Sequence, residues 1–82
     1  MIKVIVLVNG KNIISTIEEV GSELGEPDCK LIKPFLICEG NMLEQWLSDV
    51  TNADTFMISS DKILTLTDPR PTLLEKYESL IK

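Results

Sequence analysis

The 82-residue chain has no histidine. That removes His-bearing zinc sites and any catalytic arrangement that uses an imidazole as its base. It has two cysteines, Cys29 and Cys38. On one extended strand, at about 3.3 Å per residue, they would stand roughly 30 Å apart, beyond the reach of a disulfide. Two thiols alone do not close a structural zinc site either, so the pair is expected as reduced thiols, with no metal and no cofactor. Nothing resembles a Gly-rich phosphate loop, and no repeat or low-complexity tract is present. Positive charge is scarce: 8 Lys and Arg against 13 Asp and Glu give a formal charge of −5. That favours solubility and works against non-specific attraction to phosphate. The apolar run Ile2 to Val8 is too short to span a bilayer, and Asn9-Gly10 ends it without a small-residue cleavage pattern. The expectation is a cytoplasmic protein that is neither exported nor membrane-bound. A chain of this length holds one small core. With cross-links and metal set aside, oligomerisation is the expected reinforcement.

What is present is mostly strand pattern. Ile2 to Val8 (IKVIVLV) is rich in β-branched residues and apolar on nearly both faces, which suits a strand covered on both sides. Asn9-Gly10 predicts a type I′ hairpin turn, and Asn12 to Val20 (NIISTIEEV) alternates beyond it. Gly21 to Asp28 is turn chemistry. Cys29 to Cys38 resumes β character, with Pro34 predicting a bend, a bulge or an edge where it removes a ladder donor. Met42 to Val50 fits two descriptions. Asn41 and Glu44 make a capping-box pattern before helically spaced apolar residues, while the same residues also alternate as a short strand against Pro34 to Cys38. Thr55 to Ile58 and Lys62 to Thr67 are two more strands, joined through Ser59-Ser60-Asp61, and Asp68-Pro69-Arg70-Pro71 stops the sheet. Thr72 to Ile81 predicts a helix, with Thr72 and Glu75 as its capping box and Leu73, Leu74, Tyr77, Leu80 and Ile81 as its apolar stripe. A helix this short must dock on something to persist. Five or six short strands with tight turns predict a small barrel, with SH3-like, Sm-like and OB-like closures all admissible.

Two stretches, Val4 to Val20 and Met57 to Leu66, resemble the paired signature of the Sm/LSm family, including small Sm-like proteins of the kind encoded by marine phages. Val4 to Val20 (VIVLVNGKNIISTIEEV) is similar to the family's first motif, with Gly10 at the turn and Ile13, Ser15, Thr16 and Ile17 on the strongly bent second strand. Met57 to Leu66 (MISSDKILTL) resembles the second motif, an apolar pair, a four-residue turn and an apolar strand. The resemblance implies an all-β fold, a small, strongly bent five-stranded Sm-like barrel of the SH3 type, here with a C-terminal helix. It also implies a homo-oligomeric ring of about five to seven subunits, closed by edge strands joined head to tail, in the bacterial host's cytoplasm if the chain is phage-encoded. The departures are specific. Ser15 stands where the family usually bends on glycine, Gly21-Ser22-Glu23-Leu24-Gly25 lacks the family's aspartate and asparagine, and Ser59-Ser60 replaces its Arg-Gly.

For the chemistry, Ser59-Ser60-Asp61 contains a hydroxyl beside an acid but no base to activate it, and the carboxylates from Glu23 to Asp28 lie in a turn with no partner base. The chain is accordingly read as a non-enzyme. The family's pore loops correspond to Gly21–Asp28 and Ser59–Lys62. The resemblance therefore implies single-stranded RNA, or DNA, as ligand, with Ser59, Ser60, Lys62, Ser22 and Lys30 as candidate contacts: hydroxyls for base edges, lysines for phosphates. Phe56 reads as core, while Trp46 is open between core, interface and stacking surface. The oligomer interface is expected at Phe56, Met57, Ile58, Ile63, Leu64 and Leu66, apolar edge strands with few charges to guard them. A scaffold of the same assembly that engages a protein partner through its acidic surface, without nucleic acid, fits the charge at least as well.

Overall fold

The computed structural model describes residues 1–21 and 23–82. Its elements in chain order are the strands β1 (Ile2–Leu7), β2 (Asn12–Glu19), β3 (Cys29–Ile37), β4 (Leu43–Gln45), β5 (Thr55–Ile58) and β6 (Ile63–Thr67), then helix α1 (Pro71–Ile81). All strand pairs are antiparallel, in the order β4-β3-β2-β1-β6, with β5 also paired to β3. The architecture is mostly β with one C-terminal helix.

The sheet has six strands where the resemblance implies five, and it does not close into a barrel. The added strand is β4, whose residues pair with Phe35–Ile37. This decides the first half of the ambiguous Met42 to Val50 stretch for the extended alternative, while Trp46 to Val50 is turn, with Leu47 in the left-handed region at φ 61°. The capping-box pattern at Asn41 and Glu44 starts no helix, because Glu39–Asn41 is itself a 3₁₀ turn and Met42 is already extended. The sheet nevertheless curls. Ile5, Leu7, Ile13 and Leu31 form the buried cluster, and Ile58 of β5 and Ile63 of β6 both pack against it. Strand β5 is hung on β3 and β6 on β1, with β2 between those partners, so the inner face wraps one core without a β5–β6 ladder among the described residues.

Pro34 marks where β3 divides. Cys29–Ile32 pairs with β5 and Phe35–Ile37 with β4, while the ladder to β2 slips one residue between Ile14–Phe35 and Thr16–Ile32. Lys33 sits there in the left-handed region, at φ 51°, in a bulge that strengthens the local bend. Its N–H donates to the Asp54 carbonyl at 2.6 Å, and the Pro34 carbonyl accepts from Trp46 N–H at 3.1 Å. Ser15 lies at this bulge, fully buried, where a glycine is usual in the resembling family. Its hydroxyl fits by donating to main-chain carbonyls, Thr16 at 2.8 Å or Ile32 at 3.2 Å.

Helix α1 covers the outer face of the same bulge. Tyr77 is fully buried and meets Phe35 edge-on, with ring centroids 5.9 Å apart. The helix begins one residue earlier than the spacing predicts, on Pro71, and Arg70 at the N-cap makes no side-chain cap bond. Proline at the first helical position supplies the fixed φ and needs no donor there, so Thr72 and Glu75 do not form the expected box. Leu80 departs from the apolar stripe and is half exposed, at 50%.

The β1–β2 hairpin also differs from expectation. Only Gly10 has positive φ, at 87°, whereas a type I′ turn needs two such residues. Gly10 N–H donates to the Leu7 carbonyl and Leu7 N–H to the Lys11 carbonyl, both at 2.9 Å. This is a three-residue hairpin with one left-handed residue, steadied by Asn9 Oδ1 accepting from Lys11 N–H at 3.0 Å. No helix among the described residues is long and apolar enough to cross a membrane.

Candidate assembly edges and loop pair

Among the described residues, strand β5 has one ladder partner, β3, and strand β6 has one, β1. Each therefore presents a free edge of main-chain donors and acceptors. Of the six residues expected at an interface, Met57, Leu64 and Leu66 are solvent-exposed, at 50%, 70% and 47%. Phe56, Ile58 and Ile63 are half-buried instead. Ile58 and Ile63 pack on the core cluster. Phe56 meets Trp46 edge-on at 5.5 Å, and Trp46 packs on that cluster as well, which assigns both aromatics to the inner face. A pocket of about 350 Å³, walled by Ile17, Cys29, Ile63 and Leu66, opens on that face.

The two loops do come together. Asp28 Oδ1 accepts from Ser60 N–H and Asp28 Oδ2 from the Ser60 hydroxyl, both at 2.7 Å. The Ser60 hydroxyl and then its N–H hold the Asp28 carboxyl below its ordinary 3.8. Asp28 lies in the expected pore loop Gly21–Asp28 but is not among the contacts expected there, and with its partner 32 positions away no local signal could have found the bond. The shallow recess at this contact, about 180 Å³, is lined by Glu26, Asp28 and Asp61 besides Ser59, Ser60 and Gly25.

The expected nucleic-acid contacts are thus placed unevenly. Ser60 is engaged by Asp28. Ser59 is half-buried, and its carbonyl accepts from Lys62 N–H at 3.0 Å. Lys62 is exposed, within the 3₁₀ turn Ser60–Lys62. Lys30 is the second residue of β3, in register with Glu18 on one side and Met57 on the other. Ser22 lies outside the described residues. Carboxylates outnumber lysines at the loop pair, an arrangement that repels phosphate.

Both thiols are free. Burial, then the Asp28 charge, pushes the Cys29 thiol up, and burial followed by the Glu44 carboxylate does the same for Cys38. Raised thiols are poor nucleophiles at neutral pH. Among the described residues no three His, Cys, Asp or Glu side chains are grouped to hold a metal ion.

The sequence profile of a family of unknown function, DUF6561, matches residues 1–82. The chain belongs to the DUF6561 family. A comparison with curated proteins found no match. For this DUF6561 chain, then, the free edges and the loop pair are the features from which a role is argued.

Proposed function

We propose that the chain is a self-assembling Sm-like β module, which acts as a homo-oligomer built by joining β5 of one copy to β6 of the next. The observation that carries this reading is the pair of edges left unpaired among the described residues, with Met57 exposed on β5 and Leu64 and Leu66 exposed on β6, the first strand hung on β3 and the second on β1. Edges of this kind invite strand addition unless something covers them. Because the two edges differ, the contact is head to tail, and it closes into a ring where the rotation per copy permits. The likeness of Val4–Val20 and Met57–Leu66 to the Sm signature supports the same assembly. The work of the oligomer is that of a scaffold for another protein. Single-stranded RNA, the ligand of the resembling family, is the less favoured cargo, since Ser60 is occupied by Asp28 and carboxylates line the recess beside it.

Native mass spectrometry with and without a short oligo-uridine tests the reading. The expected result is one closed oligomer that stays bare. Uptake of about one oligonucleotide per ring would move the function to RNA binding and keep the assembly. A stable monomer would sink the proposal.

A further inference from the structure

Between the two proposed assembly edges runs one short connection, and it is tied down at both ends. It is the 3₁₀ turn Ser60–Lys62, entered from β5 through Ser59 and left directly into β6. On the entry side Asp28 receives both Ser60 donors, N–H and hydroxyl, one on each carboxylate oxygen. On the exit side the Lys62 carbonyl accepts from Val8 N–H at 3.0 Å. Asp28 immediately precedes β3, the partner of β5, and Val8 immediately follows β1, the partner of β6. The turn is therefore fastened to the ends of β3 and β1, the two strands on which the edge strands β5 and β6 are paired.

The Asp28 tie fixes direction as well as distance. A carboxylate holding two donors through two oxygens defines the plane in which they lie, and charge-assisted bonds of this sort are the shorter and stronger kind. The seam it spans has no β5–β6 ladder of its own, so across it β5 and β6 are held by this turn and its two ties, in addition to the ladders that run the long way round through β3, β2 and β1. In a head-to-tail assembly the rotation from one copy to the next decides whether the chain of subunits closes and at what number. That rotation is the angle between the two edges.

We infer that the Asp28–Ser60 clamp sets the angle between the two assembly edges, and so the number of subunits at which the assembly closes. This rests on the edge-pairing reading above. Both are positioning residues, since they act on the turn and through it on the strands.

Native mass spectrometry of the full chain tests it on wild type, Ser60→Ala, Asp28→Asn and Ser60→Thr. The wild type is expected at one mass. Ser60→Ala and Asp28→Asn are expected to spread over several subunit numbers, with thermal unfolding run alongside to certify that each is folded. Ser60→Thr, which restores a hydroxyl donor, is expected to return to the single mass. If either of the first two fails to fold, the other carries the test. A folded variant that keeps the single wild-type mass overturns the clamp and leaves the edge pairing standing. A wild type that is monomeric overturns both.

Discussion

Tyr77 brings one hydroxyl to a place where the strand ladder has slipped. It accepts from Thr16 N–H at 3.0 Å and faces the Lys33 and Ile32 carbonyls at 2.9 and 3.1 Å. Removing the hydroxyl alone leaves a buried donor unpaired, at a cost of about 1–3 kcal/mol. Tyr77→Phe is therefore expected to lower the urea midpoint by that equivalent with the slope unchanged, since the ring still packs on Phe35. A loss indistinguishable from zero would mean that water satisfies Thr16 in its place. The helical stripe places Tyr77 in the sequence, but its hydroxyl's partners lie 61, 45 and 44 positions away. Periodicity reports which face a residue is on and says nothing of such long-range main-chain partners. Asp28 makes a second case. Its carboxyl is held by the Ser60 hydroxyl, and then its N–H, below the ordinary 3.8, so the folded form is the stronger acid. Its contribution to stability is complete above the unfolded value and is lost as the pH falls through the lower folded one. The stability gap between wild type and Ser60→Ala is accordingly expected to be constant from about pH 8 to about pH 5 and to vanish in stronger acid. Denaturant midpoints of the two proteins across that range would measure it, and a gap that opens on acidification would refute the bond's direction.

At the scale of the elements, alternation and turn residues make most of the sheet legible, and the chain's own ambiguities fall where pairing decides. Met42 to Val50 suits both a helix and a strand in sequence, its periodicity leaning slightly to a helical turn and the family resemblance to an extended segment. The strand forms because the bend at Lys33–Pro34 splits β3, whose first half is covered by β5 and whose second half takes β4. The hairpin tip follows the same logic, since the sequence supplies a glycine and only the closing bonds select a three-residue loop. The free edges, in contrast, could be suspected from the apolar residues of the last two strands but not located until the ladders were known. Leu64 is the sharpest probe of them, being 70% exposed on a strand paired on one side only. Leu64→Lys is expected to leave folding stability within about 0.5 kcal/mol, as exposed substitutions usually do, while abolishing association, because a lysine on an edge guards it against strand addition. Light scattering reads the second effect and thermal unfolding the first. Association that survives the lysine would place the contact elsewhere.

At the scale of the whole molecule, assembly has to overcome charge. Each copy carries −5, and Glu19, in register with Cys29 beside Asp28, stands near the acidic recess of Glu26, Asp28 and Asp61. Every added subunit brings like charges together, whereas the bonds proposed to join them are main-chain bonds and apolar contacts that salt barely touches. Raising salt from about 0.01 to about 0.15 M shortens the screening length from about 30 to about 8 Å. Self-association is therefore expected to strengthen over that range. Binding to a nucleic acid has the opposite slope, because it proceeds by release of counterions from phosphate. Sedimentation of the protein alone and with oligo-uridine, taken through the same salt series, separates the two. A larger share of the protein in the closed oligomer at higher salt, with no sedimenting oligonucleotide at the lowest, is the outcome that a ladder-joined acidic scaffold requires. Oligomers that fall apart as salt rises would mean that opposite charges hold the copies together, and the unpaired edges of β5 and β6 would no longer account for the assembly.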